Sequence, residues 1–456
     1  MPPHAAEILG WIEAICEQGV RRPGSAADAW CERFVAERFK AFGLEEVRLE
    51  PVPVSIWEPG TATLTLEDGL TFKGSTVPYS AAGSVEAPLV EGVAAGGLAM
   101  VDVDLMRLPI GRRLTGEATT VHDPDGDFEH LVQVLPFGPA MHQVLEPALD
   151  AGAAGFVGLL SGLGWETGDY YVPYDARRRD ITAAWFSRSD AARLREALGG
   201  RQVRGRLASG GEVRQGTSHN VLGVLPGRSD EWVVIGSHHD GPYVSAVEDA
   251  SGVALVLAQA AHWSQVPREE RQHNLLFLVK AAHMAGSAGS APFFEAHAGL
   301  LPRTVLAIHL EHAAAACDVD AAGRLQATAQ PEPRWWFTSR NPRLEEAVIT
   351  ALRKHDLRRS LVLRPDIFAP FPPTDGGIFH SWGVPLVDFL AAPMYLFDPQ
   401  DTVDKIHVPS LEPVTAAVMD IVRFTAGETA ASMRAAIVED GRLPIPPADL
   451  AEPSAS

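Results

Sequence analysis

Cysteine is scarce in this chain: there are three in 456 residues, Cys16, Cys31 and Cys317, and no CxxC pair. That excludes a zinc ribbon or a dithiol redox motif. An odd, sparse count fits a reducing compartment better than a disulfide-built secreted fold. Positive charge is also in deficit, with 38 Lys and Arg against 58 Asp and Glu and a net charge of −20. Nucleic acid and anionic membranes both need a basic footprint, so neither is expected as a partner. No apolar run approaches the roughly 18 residues of a membrane-spanning helix. The opening "MPPHAAEILGWIEAICEQGV" has no basic start, no long apolar run and no small-residue cleavage site. It predicts no signal peptide, and the cytoplasm is the expected compartment.

What is present is ordinary globular material, 46% hydrophobic and 21% charged. The length favours more than one domain. Helical spacing marks 5–18 and 26–42, and strand-like alternation marks 45–54 and 61–69. Around residue 85 the texture changes. Segments 96–104, 146–160, 181–187 and 189–200 read as short strands and helices of a compact insert. From 219 onward apolar strands (231–237, 274–280, 304–310, 385–390) alternate with helices (251–263, 341–356, 410–424). This predicts an α/β fold with a mostly parallel mixed sheet, helices on both faces and a smaller inserted α/β domain. The expected organisation is 1–82 and 213–430 for the main domain, 83–212 for the insert, and a C-terminal tail over 431–456 that is Pro/Ala/Ser-rich and loose from about 440.

In open α/β sheets ligands bind at the C-terminal ends of the strands. That rule selects His238, His239 and Asp240 after 231–237, and His283 and Met284 after 274–280. It selects Glu311 and His312 after 304–310, and Asp398 and Asp401 after 385–390. Imidazoles and carboxylates at adjacent strand ends can converge on one metal ion. His309, two residues before Glu311, shares its strand face at greater depth. Trp335 and Trp336 are candidates for a pocket lining, with the core as the plainer alternative.

The segment "VVIGSHHDGPYVSAVEDASGVALVLAQA" (233–260) resembles the strand, HxD and GAxDxxSG stretch of the two-zinc aminopeptidases, metallopeptidase family 28. "GVRRPGS", "TSHNVLGVLPG" and "DTVDKI" resemble further parts of that family. "DAGAAGFVGLL" and "ITAAWFSRSDAARLREAL" resemble the protease-associated domain often inserted in such chains. The resemblance implies a site of two metals bridged by one carboxylate, with a Glu as general base. Carried over residue by residue, His238 takes a ligand position and Asp240 the position that orients it. The bridging Asp falls on Glu248, with Asp249 as the candidate if the loop shifts by one residue. The base falls on His283 and its neighbouring ligand on Met284. The strand-end ligand falls on Glu311 and the last one on Phe397, with Asp398 one place further. A thioether and a phenyl ring are not useful ligands for a hard divalent cation.

One metal position is thus expected to be lost. The other keeps His238, Glu248 and Glu311, with His312 and Asp249 as additional candidates. Each Asp→Glu change adds a methylene, about 1.5 Å of reach. The first reading is a metal-dependent hydrolase holding a single divalent cation, Zn²⁺ by preference or Mn²⁺ or Fe²⁺. It would have His283 and Asp240 in the catalytic machinery. Its substrate would be an amide-like small molecule or a short peptide, because losing one metal removes the anchor for a free α-amine that the resemblance implies. The second reading is a non-catalytic binding or assembly protein without a metal. A homo-oligomer is compatible with both.

Overall fold

The computed structural model describes residues 3–136, 143–439 and 442. The tail expected to be loose lies outside the described residues from 440 on, apart from residue 442. Nine strands form the large sheet. Their order is Glu45–Glu58, Glu212–Leu225, Asn274–Lys280, Trp232–His238, Thr304–Leu310, Leu386–Ala391, Arg334–Thr338, Ser360–Leu363 and Thr120–His122. The four central strands, Asn274–Lys280 through Leu386–Ala391, run parallel. The flanking pairings are antiparallel except for Arg334–Thr338 with Ser360–Leu363. The mixed sheet expected from the sequence is present, with its parallel part confined mainly to the centre.

The central strands carry unbroken apolar runs because helices cover both faces. In Asn274–Lys280 every residue after the first is buried. One face is covered by Ala5–Cys16, Ala26–Ala41, Gly252–Ser264 and Val408–Phe424, which bury Ile12, Phe39, Val253 and Val418 in one continuous core. On the other face Phe293, Phe294 and Phe379 pack on Leu222, Leu276 and Leu386. Helix ends follow capping chemistry. Ser25 accepts from the Asp28 amide, and Asn341 accepts from the Arg343 and Leu344 amides, with Pro342 opening that helix. Leu344, Val348 and Leu352 form the buried stripe expected for 341–356.

The insert closes into a barrel, which the sequence reading of a small α/β unit did not foresee. Its seven strands are Thr182–Phe186, Thr71–Thr76, Ala62–Leu66, Arg204–Ser209, Gly83–Glu91, Leu98–Asp104 and Gly155–Gly162. It begins at Ala62, ahead of residue 83, while Thr120–His122 from within 83–212 joins the large sheet. Most of these pairings join segments far apart in sequence, which local periodicity does not encode. Helix Arg188–Leu198, capped by Ser187 and ended by Gly199 in the left-handed region, packs Ala191, Leu194 and Leu198 against barrel residues such as Val157 and Leu207. Among the described residues no helix is long and apolar enough to cross a membrane. Cys16, Cys31 and Cys317 form no disulfide.

Candidate metal centre

The four parallel strands end at one place, and the residues there are held by the main chain around them. His238 is the last residue of its strand, in register with Lys280. The next segment, Ala246–Ser251, carries Glu248 and Asp249, joined by a cis peptide bond. Asp401 accepts from the amides of Val247 and Glu248 at 2.8 and 2.9 Å. Asp249 accepts from the Gly252 and His312 amides, and its other oxygen takes the Ser237 hydroxyl. Ser251 bonds the Val247 carbonyl and the Ala313 amide. These contacts stitch 246–252 to the end of Thr304–Leu310. Only glycine fits at 252, because a Cβ would stand 2.1 Å from Asp249 Oδ2 and 2.4 Å from the Leu310 carbonyl oxygen. His312 has φ 59°, the left-handed region, which turns its ring back toward Glu248.

Three donor atoms, one each from His238, Glu248 and His312, lie within 4.8 Å of one another, and all three residues are buried. His238 Nε2 is 3.3 Å from Glu248 Oε1, and His312 Nε2 is 2.6 Å from Glu248 Oε2. Neither approach has hydrogen-bond geometry. His238 Nε2, Glu248 Oε1 and His312 Nε2 are buried atoms without a hydrogen-bond partner. Orphaned buried polar atoms are costly and rare, so three converging on one point call for a ligand. Two imidazoles and a carboxylate are the donor set of a Zn²⁺ site with an open position. The residues therefore fit a divalent cation.

A second group of the same residue types makes a useful contrast. Asp28, Glu32 and His239 also bring donors within 4.8 Å. There, His239 Nδ1 meets Asp28 at 2.7 Å and its Nε2 meets the His219 carbonyl at 2.9 Å. Ser218 and the Gly24 and His219 amides take the carboxylate oxygens. This is a structural network in which every carboxylate oxygen and both His239 nitrogens already have a hydrogen-bond partner.

The remaining site residues expected from the sequence separate clearly. Glu311 borders the trio, 3.9 Å from His238 Nε2 and 3.7 Å from His312 Nε2, with Oε1 bonded to His309 Nε2 at 2.7 Å. His312 therefore replaces Glu311 in the tightest set, and His309 orients Glu311. Asp249 faces away as a brace, 4.0 Å from His238 Nε2. Asp240 holds His238 through its main-chain carbonyl, 3.1 Å from Nδ1, while the carboxylate lies 3.6 Å away. That carboxylate instead accepts from the amides of His283 and Met284 at 3.0 and 2.7 Å, fixing the turn. The His283 ring stacks on His238, centroids 4.4 Å apart. Met284 is buried in the core, and Phe397 packs against Tyr174 and Tyr170, so neither offers a donor. Asp398 is spent on the Trp165 indole at 2.8 Å. Trp335 and Trp336 are core residues of Arg334–Thr338, fully buried.

The electrostatics match a site built for a cation. Burial alone would drive the imidazoles toward neutrality. The surrounding carboxylates reverse this, lifting His312 to about 10 and His238 well above the usual imidazole range. Burial would raise Glu248, but His312 and His238 hold it well below the usual carboxyl range. Burial lifts Asp249 to about 7.

The site is roofed by the barrel. Between Gly155–Gly162 and Thr182–Phe186 the chain crosses to the sheet ends. There the Tyr171 amide donates to the Phe397 carbonyl, Tyr174 accepts from the Gly286 amide, and the Tyr174 ring packs on His283 at 5.6 Å.

Residues 220–422, just under half of the chain, match the model of peptidase family M28. No curated protein matches the chain. Among solved structures, a peptidase M28 precursor from Shewanella amazonensis superposes with a TM-score of 0.69 at 20% identity, covering 92% of this chain and 93% of that one. An aminopeptidase from Aneurinibacillus sp. strain AM-1 gives 0.60 at 20% identity, with the same coverage. A zinc aminopeptidase from Bacillus subtilis gives 0.64 at 17% identity, over 92% and 95%. The fold is therefore that of the zinc aminopeptidases over nearly the whole chain.

Proposed function

Starting from the match of residues 220–422 to peptidase family M28, we propose that this protein is a metal-dependent hydrolase using a single divalent cation. The observation that carries the reading is the set of three orphaned donors on His238, Glu248 and His312. Glu311, oriented by His309, stands at the edge of the set as a second carboxylate. Zn²⁺ suits the donors best, with Mn²⁺ and Fe²⁺ as alternatives. When bound, the cation supplies Lewis acidity and a lowered pKa for a bound water. The chain supplies the rest. Asp240 fixes the turn that carries His283. His283 Nε2, which has no protein partner, is the atom placed to accept and return a proton. Tyr174 and Phe397, rings in contact, form an aromatic wall beside His283. A further donor set at the Met284 and Phe397 positions is missing, which supports one ion rather than two. The substrate class is an amide-like small molecule or a short peptide. The three unpaired cysteines support a cytoplasmic location.

The test is elemental mass spectrometry of protein purified without chelator, joined to anomalous diffraction and a panel of free and N-acetylated amino-acid p-nitroanilides. One ion per chain between His238, Glu248 and His312, with hydrolysis that a chelator abolishes, is the expected result. If no ion is found, and added Zn²⁺, Mn²⁺ or Fe²⁺ neither binds nor activates, the hydrolase reading fails and a non-catalytic binding protein takes its place.

A further inference from the structure

A buried arrangement beside the metal centre is not used by the reading above. The Pro-rich loop 364–376 brings Asp375, fully buried, against His283. Asp375 Oδ1 lies 3.1 Å from His283 Nδ1. Among the described residues that is the carboxylate's one side-chain hydrogen bond, and Oδ2 has no hydrogen-bond partner. Lys280, at the end of the neighbouring strand, holds the loop. Its Nζ donates to the Asp375 main-chain oxygen at 2.6 Å and to Ser290 Oγ at 3.0 Å, and lies 3.7 Å from Asp375 Oδ2. Thr374 is tied to Asp388 and to the Gly377 amide.

A carboxylate kept only for structure would be saturated by the ammonium beside it. Here Lys280 spends its short bonds on a carbonyl and a hydroxyl, and the carboxylate is aimed at the imidazole. The Lys280 ammonium, 3.7 Å from Oδ2, favours the ionised carboxylate, which is an acceptor only. Nδ1 also has Ser287 Oγ at 3.4 Å, but the nearer partner is the anionic oxygen, which can only accept, so Nδ1 is the donor. The alternative tautomer would set a lone pair against a buried anion.

We propose that Asp375, anchored by Lys280, is a positioning residue for His283: it takes the Nδ1 proton in a hydrogen bond and leaves Nε2 as the ring's one basic atom. The use made of that atom rests on the hydrolase reading; the tautomer does not. The arrangement follows the general logic by which a carboxylate orients an imidazole for work at its far nitrogen.

The experiment is ¹⁵N-histidine labelling of the full chain with and without Zn²⁺, recorded by multiple-bond ¹H–¹⁵N correlation in the range where the ring is neutral. The His283 signals are identified by their loss in His283→Gln. The wild type is expected to show a protonated Nδ1 and a bare Nε2. Asp375→Ala is expected to shift the ring toward the Nε2–H tautomer. It is also expected to lower kcat on whichever p-nitroanilide the wild type cleaves by at least about 100-fold, with KM and Zn²⁺ affinity within about twofold. Lys280→Met is expected to shift the tautomer in the same direction by less. A wild-type ring protonated at Nε2, or an Asp375→Ala ring with unchanged tautomer, overturns the proposal. Should Asp375→Ala not fold, the wild-type spectrum decides alone. If the wild type binds no Zn²⁺ and cleaves nothing, the hydrolase reading fails while the spectrum still decides the role of Asp375.

Discussion

Replacing His312 with alanine removes one of three donor atoms that lie within 4.8 Å of one another. Its consequence can be worked out for the increment in thermal stability that Zn²⁺ confers. A ligand at 100 times its Kd stabilises the native state by about 2.7 kcal/mol. Unfolding entropy runs at about 2.1 cal/mol/K per residue near 60 °C. For 456 residues that is roughly 1 kcal/mol/K, so Zn²⁺ raises the wild-type Tm by about 3 °C if the chain melts as one unit. Disturbing even a residue that supports a ligand costs 10–100-fold in metal affinity, so about 100-fold is a floor for losing a ligand. The same Zn²⁺ concentration then sits near Kd, and the increment falls to about 0.4 kcal/mol, a shift under about 0.5 °C. The apo variant also loses stability, because Glu248 is left buried beside fewer cationic groups, so only increments are compared. Scanning calorimetry with and without Zn²⁺, paired with isothermal titration, reads this directly. His239→Ala is the control: it breaks the saturated Asp28–Glu32–His239 network and lowers the apo Tm, yet should keep the full increment. Equal increments for His312→Ala and wild type would refute the assignment of donors.

Glu332, buried and bonded through Oε1 to Gln133 at 2.9 Å, is pushed by burial from 4.5 to about 7. The folded state therefore holds a proton that the unfolded state releases, and stability falls as pH rises from about 4.5 to 7. Glu332→Gln should match wild type at pH 4 and exceed it by up to about 3 kcal/mol at pH 8 in urea titrations; no pH dependence in the difference would count against it. Gly252→Ala forces a Cβ onto Asp249 and Leu310, so a loss of about 1–3 kcal/mol is expected together with weaker Zn²⁺ binding. Asp401→Asn weakens the hold on the Val247 and Glu248 amides. Zn²⁺ affinity should drop by about 10–100-fold with little change in far-UV circular dichroism.

The strands and helices of the large sheet were legible because burial writes itself into period: "NLLFLVK" can only be a central strand, and Leu344, Val348 and Leu352 can only be a helix stripe. His238 and Glu248 were legible from their place at a strand end and in a known motif. The sequence offers His312 only as an additional candidate, because a left-handed backbone at a histidine is invisible there, and that φ is what swings its ring into the set ahead of Glu311. Asp375 is not legible as a partner of His283 because it lies 92 positions away in a Pro-rich loop. The only local sign was Thr-Asp-Gly-Gly (374–377), an acid in a tight turn after prolines. The barrel was missed for the same reason as any fold made of distant pairings: its register is shared between segments such as Ala62–Leu66 and Arg204–Ser209.

The chain segment that leaves the barrel to cover the metal centre has a consequence for how this protein can be cut. Tyr170, Tyr171 and Tyr174 belong to the barrel's chain but touch Phe397, Tyr243 and His283 of the other body. A trimmed protein holding the matched region 220–422 alone would carry every donor yet leave Phe397 and His283 without the tyrosines that pack on them. Activity in such a fragment, were it to fold, would have to arise without the tyrosine cover that the intact molecule provides.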